Sequence, residues 1–376
     1  MTHDFRTAAL AASLLAGVAM ITPLTSQAQT ASTPEPAAPS VAESPDSGTM
    51  KRADKDMALV LKKMGELAIK PTESRSVEEA RAQPTPADAV KAVLKDEGKD
   101  PAALMAAMKV AKKDMTYTAG SGSQPVRIYT PEGGASALPV IVYYHGGGWV
   151  IADLDTYESS AMALAKKSGA IVASVEYRHA PENKFPAAHD DAFAAYKWVL
   201  ANAGQFGGDA KRVAVAGESA GGNLAANVAI MARDQKSQLP THMLLVYPVA
   251  GTDMNTPSYV ENQNAMPLSK GAMSWFVNNV LAKPEDAKSP MLNLTTMVDL
   301  KGLPSATVIT DSIDPLMSDG KMLADKLKAA GVQTTYKNYE GVTHEFFGMD
   351  AVVADAKAAQ DLAAADLKKS FDVKAQ

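Results

Sequence analysis

The sequence carries one serine whose neighbours prepare it for nucleophilic attack. In Gly217-Glu218-Ser219-Ala220-Gly221-Gly222, Ser219 has a glycine two residues away on either side. The apolar run 213–216 precedes it and the helix-forming stretch 220–233 follows. G-x-S-x-G in a strand–turn–helix context is a nucleophile elbow. The glycines have a steric reason, because the chain turns so sharply that side chains there would collide with neighbouring strands. The serine is left strained and presented at the tip, and the N-terminus of the following helix favours negative charge beside it.

A second glycine motif, His145-Gly146-Gly147-Gly148-Trp149, follows the apolar run VIVYY at 140–144. Backbone N–H groups without side chains can approach a ligand closely, and a tetrahedral oxyanion needs such preorganised donors. The expected oxyanion hole is Gly147, Gly148 and Ala220, with Gly146 an alternative to Gly148. His145 reads as a structural hydrogen-bonding residue. A serine needs a base, and the base needs a carboxylate. His344, in Gly341-Val342-Thr343-His344-Glu345-Phe346, lies just past the last strand-like run, where a loop reaches the carboxyl edge of a sheet. His179 is its main rival, since His189 opens a helix and His242 precedes a strand at the wrong end. Asp314 follows the strand-like run 306–310, and Ser…Asp…His is the order such a sheet uses. Asp311 and Asp319 are rivals for the acid, with Asp319 reading as a helix-start charge or local cap.

These residues need a sheet to hold them. The runs 140–144, 170–175, 213–216, 243–247, 306–310 and 333–339 read as strands. They alternate with helical patterns at 162–168, 187–201, 220–233 and 320–330, and 350–371 closes the chain as a helix. Such alternation predicts an α/β architecture, a mainly parallel sheet covered on both faces. Residues 114–118 and 124–129 flank Gly120-Ser121-Gly122 as an antiparallel hairpin at one edge. Residues 251–289 break the alternation with polar, Met-bearing helical sequence, an expected insertion above the sheet. Ahead of the hairpin, 54–69, 87–95 and 101–113 read as helices, the last with Leu104, Met105, Met108 and Ala111 inward.

Through these motifs the chain resembles the hormonesensitive-lipase-like family of α/β-hydrolases, in its bacterial esterase branch. The resemblance runs in order through HGGGW (145–149), EYRHAPENKFPAA (176–188), GGDAKRVAVAGESAGG (207–222), SPMLN (289–293), LPSATVITDSIDPLMSDG (303–320) and GVTHEFF (341–347). It implies an α/β-hydrolase fold with a helical cap, Ser219 as nucleophile, Asp314 as acid and His344 as base. It implies structural roles for Tyr177, Arg178 and Glu182. It also implies that 51–113 and the insertion 251–289 form the cap of a catalytic domain spanning 114–376. The expected function is a serine carboxylesterase acting on short- to medium-chain acyl esters with water. Amide, lactone or peptide hydrolysis by the same triad is the nearer alternative. A non-catalytic binding protein, as in the plant gibberellin receptor that lost its histidine, is the more distant one. Met254, Met266 and Met273 either line the pocket or pack the cap. His179 stands where the family usually has an apolar residue, and Glu218 where it more often has Asp. No cofactor or metal is implied, since His189-Asp190-Asp191 sits in a helix without a second histidine.

Composition adds exclusions. The 376 residues carry a net charge of −5, which argues against a nucleic-acid surface, where Lys and Arg must cluster. With no cysteine, disulfides, thiolate zinc sites, a cysteine nucleophile and a lipidated N-terminus are excluded. Residues 8–21 are fourteen apolar or small residues, too few to span a bilayer but fitting the core of a secretory signal. Ser26-Gln27-Ala28 supplies small residues for cleavage after Ala28. Residues 29–50, rich in Ala, Pro, Ser and Thr, read as a disordered linker. These features predict a periplasmic or secreted protein.

Overall fold

The computed structural model describes residues 46–372 apart from 121, 135 and 136. The predicted signal segment, its cleavage point and most of the linker lie outside the described residues. Five helices come first: α1 (Asp46–Arg52), α2 (Lys55–Glu66), α3 (Val77–Ala82), α4 (Pro86–Asp96) and α5 (Pro101–Ala107). An edge hairpin of β1 (Val110–Ala119) and β2 (Gly122–Pro131) leads into β3 (Leu138–Tyr144), α6 (Glu158–Ser168), β4 (Ile171–Val175) and α7 (Ala187–Asn202). Then come β5 (Gly208–Glu218), α8 (Ala220–Asp234) and β6 (His242–Val246). Three short helices follow, α9 (Pro257–Glu261), α10 (Lys270–Val280) and α11 (Leu294–Met297). The chain closes with β7 (Ser305–Ile313), α12 (Met317–Ala329), β8 (Thr334–Thr343) and α13 (Ala354–Asp372).

The eight strands form one sheet in the order β1-β2-β4-β3-β5-β6-β7-β8. β3 through β8 run parallel, while β2 is antiparallel to both β1 and β4. The central strands are buried on both faces because they are continuous apolar runs. Side chains alternate across the sheet. Val140, Val142, Val213 and Val215 pack with α7, α8 and α12 on one side. Ile141, Tyr143, Ala214 and Ala216 pack with α2, α6 and α13 on the other.

Two expectations at the N-terminal side need correction. The linker was placed to residue 50, but Asp46–Arg52 is helical. Tertiary contacts hold it: Thr49 is buried and accepts a hydrogen bond from the N–H of Met266, and Arg52 donates to Asn262 and to the Ser312 carbonyl. The helix expected over 101–113 stops at Ala107, and the strand starts at Val110 rather than 114. Leu104 and Ala111 are exposed rather than inward, and Met105 and Met108 are half-buried. The cause is Lys109, at φ 54°, which turns the chain so that Val110 and Ala111 can pair with Pro131 and Thr130.

Candidate active site

Ser219 sits between β5 and α8 with φ 56° and ψ −118°. A Cβ on Gly217 would lie 2.1 Å from the Gly221 carbonyl oxygen, and one on Gly221 2.0 Å from that of Tyr144. Only glycine fits at either position. The turn is tied to the neighbouring strand: Ser219 N–H donates to the Val246 carbonyl at 2.9 Å, and Val249 N–H donates to the Ser219 carbonyl at 3.2 Å.

The loops after β7 and β8 bring the other two expected residues to it. His344 Nε2 lies 3.0 Å from Ser219 Oγ, and His344 Nδ1 lies 2.6 Å from Asp314 Oδ2. The second Asp314 oxygen accepts from Leu316 N–H at 2.8 Å. The Asp314 carbonyl accepts from Asn262 Nδ2 at 3.0 Å, and Arg52 holds that same Asn262 through its side-chain oxygen at 2.7 Å. Sequence reasoning did not find Asn262 or Arg52, whose roles depend on a contact across 210 residues. Burial pulls His344 down, but the Asp314 carboxylate outweighs it, so the imidazole titrates above its ordinary 6.5.

The rivals are placed elsewhere. His179 faces Glu176 at 3.0 Å. His189 bonds Asn223, His242 bonds Ser305 and Thr307, and burial pushes each imidazole down to about 4. Asp311 is fully buried next to Asp314, with no hydrogen-bond partner for either carboxyl oxygen. Burial and then the Asp314 charge hold its carboxyl well above the usual carboxylate range. Asp319 is not a solvated helix-start charge. It is buried and accepts from the N–H groups of Ala250 and Gly251 at 3.0 and 2.9 Å, fixing the loop after β6.

The glycine loop after β3 faces the same point. Gly147 and Gly148 have φ 87° and 59°, and a Cβ on Gly148 would strike the Phe276 ring at 2.2 Å. Among the described residues, no carbonyl or side chain accepts from the N–H of Gly147, Gly148 or Ala220. These three donors are therefore available to a ligand. Tyr177 supports the loop by donating to the His145 and Gly146 carbonyls at 2.9 and 3.0 Å. Arg178 holds Asp191 through two contacts at 2.8 and 2.7 Å, and Glu182 pairs with Arg81 of α3. Glu218, beside the serine, is fully buried and accepts from the Tyr143 hydroxyl at 2.5 Å and from that of Tyr247. Burial and the nearby Glu345 push it up to about 7.

Ser219, His344, Gly147 and Gly148 line one cavity of about 270 Å³. Its apolar wall includes Met254, Met266, Met273 and Phe276, so the three methionines do line the pocket, with Met273 also buried.

The profile of the α/β-hydrolase fold matches residues 141–348, and the chain belongs to that family, in the branch of hormone-sensitive-lipase-like esterases. It is 39% identical over 276 residues to the carboxylesterase NlhH of Mycobacterium tuberculosis, covering 73% of this chain and 86% of that one. A hyperthermophilic esterase from the archaeon Pyrobaculum calidifontis superposes with a TM-score of 0.68 at 39% identity, covering 74% of this chain and 93% of that one. A thermostable esterase from Pseudomonas putida superposes with a TM-score of 0.75 at 30% identity, covering 86% and 99%.

The two neighbouring aspartates give a direct test of the site. Asp314→Asn should lower kcat toward an ester by about 10⁴-fold, because the imidazole loses its orienting carboxylate. Asp311→Asn, which leaves the Asp314–His344 contact in place, should stay within about tenfold. Steady-state kinetics on both variants reads the difference, and a larger loss at Asp311 would reassign the acid.

Proposed function

We propose that this protein is a serine carboxylesterase that cleaves short- to medium-chain acyl esters through an acyl-enzyme on Ser219. The observation that carries the reading is the hydrogen-bonded line Ser219–His344–Asp314 at the wall of the pocket. The relatives named carboxylesterase and esterase support it.

The steps follow from the geometry. His344 takes the Ser219 proton as Oγ attacks the ester carbonyl, and Asp314 stabilises the imidazolium. The oxyanion rests on the N–H groups of Gly147, Gly148 and Ala220; a key donor of this kind is worth about 3 to 4 kcal/mol. The imidazolium gives its proton to the leaving alcohol. Water then enters, deprotonated by His344, and releases the acid. The reaction so written needs an ester and water and no cofactor.

The size limit rests on the pocket. Its volume of about 270 Å³ lies just below the usual span of ligand pockets, about 300 to 1,000 Å³. Met64, Ile69 and Arg81 wall it from the N-terminal side, and Met254, Met273 and Phe276 from the insertion. In this reading the helices that precede β1 and the segment 251–289 are its cap, and the adaptable methionines accommodate different acyl groups.

We further propose that the chain is exported by its N-terminal signal, cut after Ala28, and works as a periplasmic or secreted enzyme. The apolar run 8–21 and the small residues at 26 and 28 support this.

p-Nitrophenyl esters of increasing acyl length should be hydrolysed fastest at the short and medium lengths. Ser219→Ala should lower turnover by about a millionfold. Activity surviving that substitution sinks the nucleophile assignment, and equal turnover of long-chain emulsified lipid sinks the size limit. Because His344 must be neutral to accept the proton, kcat/KM should fall as pH drops through its raised pKa. The pH–rate profile should place the acid limb above pH 6.5; a midpoint below 6 contradicts the assigned environment. Mass analysis of the mature protein from a bacterial host should find Gln29 at the N-terminus, and an intact Met1 in the exported fraction would refute cleavage.

A further inference from the structure

Outside the pocket, the structure gathers two histidines and a glutamate whose arrangement the proposed ester chemistry does not use. β3 and β4 are parallel neighbours, and their register pairs Tyr144 with Val175. His145 and Glu176 each follow directly where these strands end, so the register sets them side by side. His179 reaches the same carboxylate from the loop beyond. His145 Nε2 lies 3.4 Å and His179 Nε2 3.0 Å from Glu176 Oε1. The three atoms all fall within 4.8 Å of one another. None of the three residues lines the pocket.

We infer that His145, Glu176 and His179 form a binding site for a zinc-class divalent cation beside the oxyanion loop. Three observations carry this. The first is spacing: ligand atoms about 2.0 to 2.1 Å from a tetrahedral zinc are about 3.3 to 3.4 Å apart, close to the two distances found. The second is that both Nε2 atoms are buried, and the Glu176 carboxylate, at ion-pair distance from each, meets neither in hydrogen-bond alignment. Buried ring nitrogens are ordinarily satisfied, and a shared cation would satisfy both. The third is the outer shell. His145 Nδ1 lies 2.9 Å from the Gly146 carbonyl, which places a ring proton on Nδ1 and turns Nε2 toward Glu176, the orientation found in metal-ligating histidines. Tyr177 stacks on the His145 ring at 4.4 Å and donates to the Gly146 carbonyl, holding the ring in place.

Two imidazoles and one carboxylate suit zinc or cobalt and leave a fourth position for water. The Glu176 and His179 side chains are each 18% exposed, which gives an ion a path from solvent. His145 directly precedes the oxyanion glycines, so a cation here would pin the start of that loop. Binding releases any proton the cluster holds and needs no redox step.

The test uses the full mature protein, freed of metal with EDTA and titrated with Zn²⁺ by calorimetry and with Co²⁺ by visible absorption. One equivalent should bind, the cobalt form should show the strong bands of a tetrahedral site, and the melting temperature should rise. Glu176→Gln and His179→Leu should each weaken binding by at least roughly tenfold, the loss that even an outer-shell partner causes. Circular dichroism checks that the variants fold. A zinc-edge anomalous map of wild-type crystals reads the site independently, with the peak expected between the three side chains. The inference is overturned by the absence of stoichiometric binding or by equal binding in both folded variants. It is also overturned by a peak at the other cluster, Asp311, Asp314 and His344, where the cation would abolish ester turnover.

Discussion

The site depends on how closely three backbone segments meet at one turn. β5 ends, α8 begins, and the chain from β3 passes so near that the space holds no side chain at Gly217 or Gly221. Ser219 combines a positive φ of 56° with ψ −118°, a strained backbone that costs about 1 to 3 kcal/mol in a non-glycine residue. The bonds to Val246 and from Val249 hold it there. This contact fixes more than the serine. β3 and β6 flank β5 on either side, so the glycine loop after one and the segment after the other open at the same edge. β7 and β8 follow next, and their loops deliver Asp314 and His344. Trp149, Tyr247 and Glu345, which surround the same edge, also have positive φ, so strain is concentrated where the loops converge.

Burial around the turn sets the electrostatics. Glu218, Asp311, Asp319 and Glu345 are all pushed above the ordinary carboxylate range, chiefly by desolvation. The Tyr143 and Tyr247 hydroxyls donate to Glu218, and Tyr157 donates to Glu345 at 2.6 Å. The hydroxyls anchor both glutamates, and Glu345 also lies 3.9 Å from His344 Nε2, adding after Asp314 to the negative field that raises the imidazole. Asp314 differs because it accepts from both the His344 ring and a backbone N–H. Two aspartates three residues apart thus have different parts, decided by their partners and not by their residue type.

Most of the parallel sheet was legible because its strands are continuous apolar runs and its turns are marked by glycine. Ser219 and the 145–149 loop were legible for the same reason, since close approach leaves a signature in residue type. The start of β1 is not legible because Lys109 takes a positive φ with no glycine or proline to announce it. The N-terminal boundary is not legible because Asp46–Arg52 is helical through contacts with residues over 200 positions away, which local composition cannot report. The parts of Asn262 and Asp319, and the facing of His145 and His179 across Glu176, depend on register and loop path. A sequence pattern carries neither.

The central claim is that the strained turn presents Ser219 as the attacking atom. Rapid mixing with a slowly deacylated ester, acid quenching and peptide mass analysis would locate the acyl group directly. The account predicts one acyl group per chain, on the peptide bearing Ser219, formed in a burst before steady turnover. An acyl group on another residue, or turnover without any covalent acyl-enzyme, would contradict it.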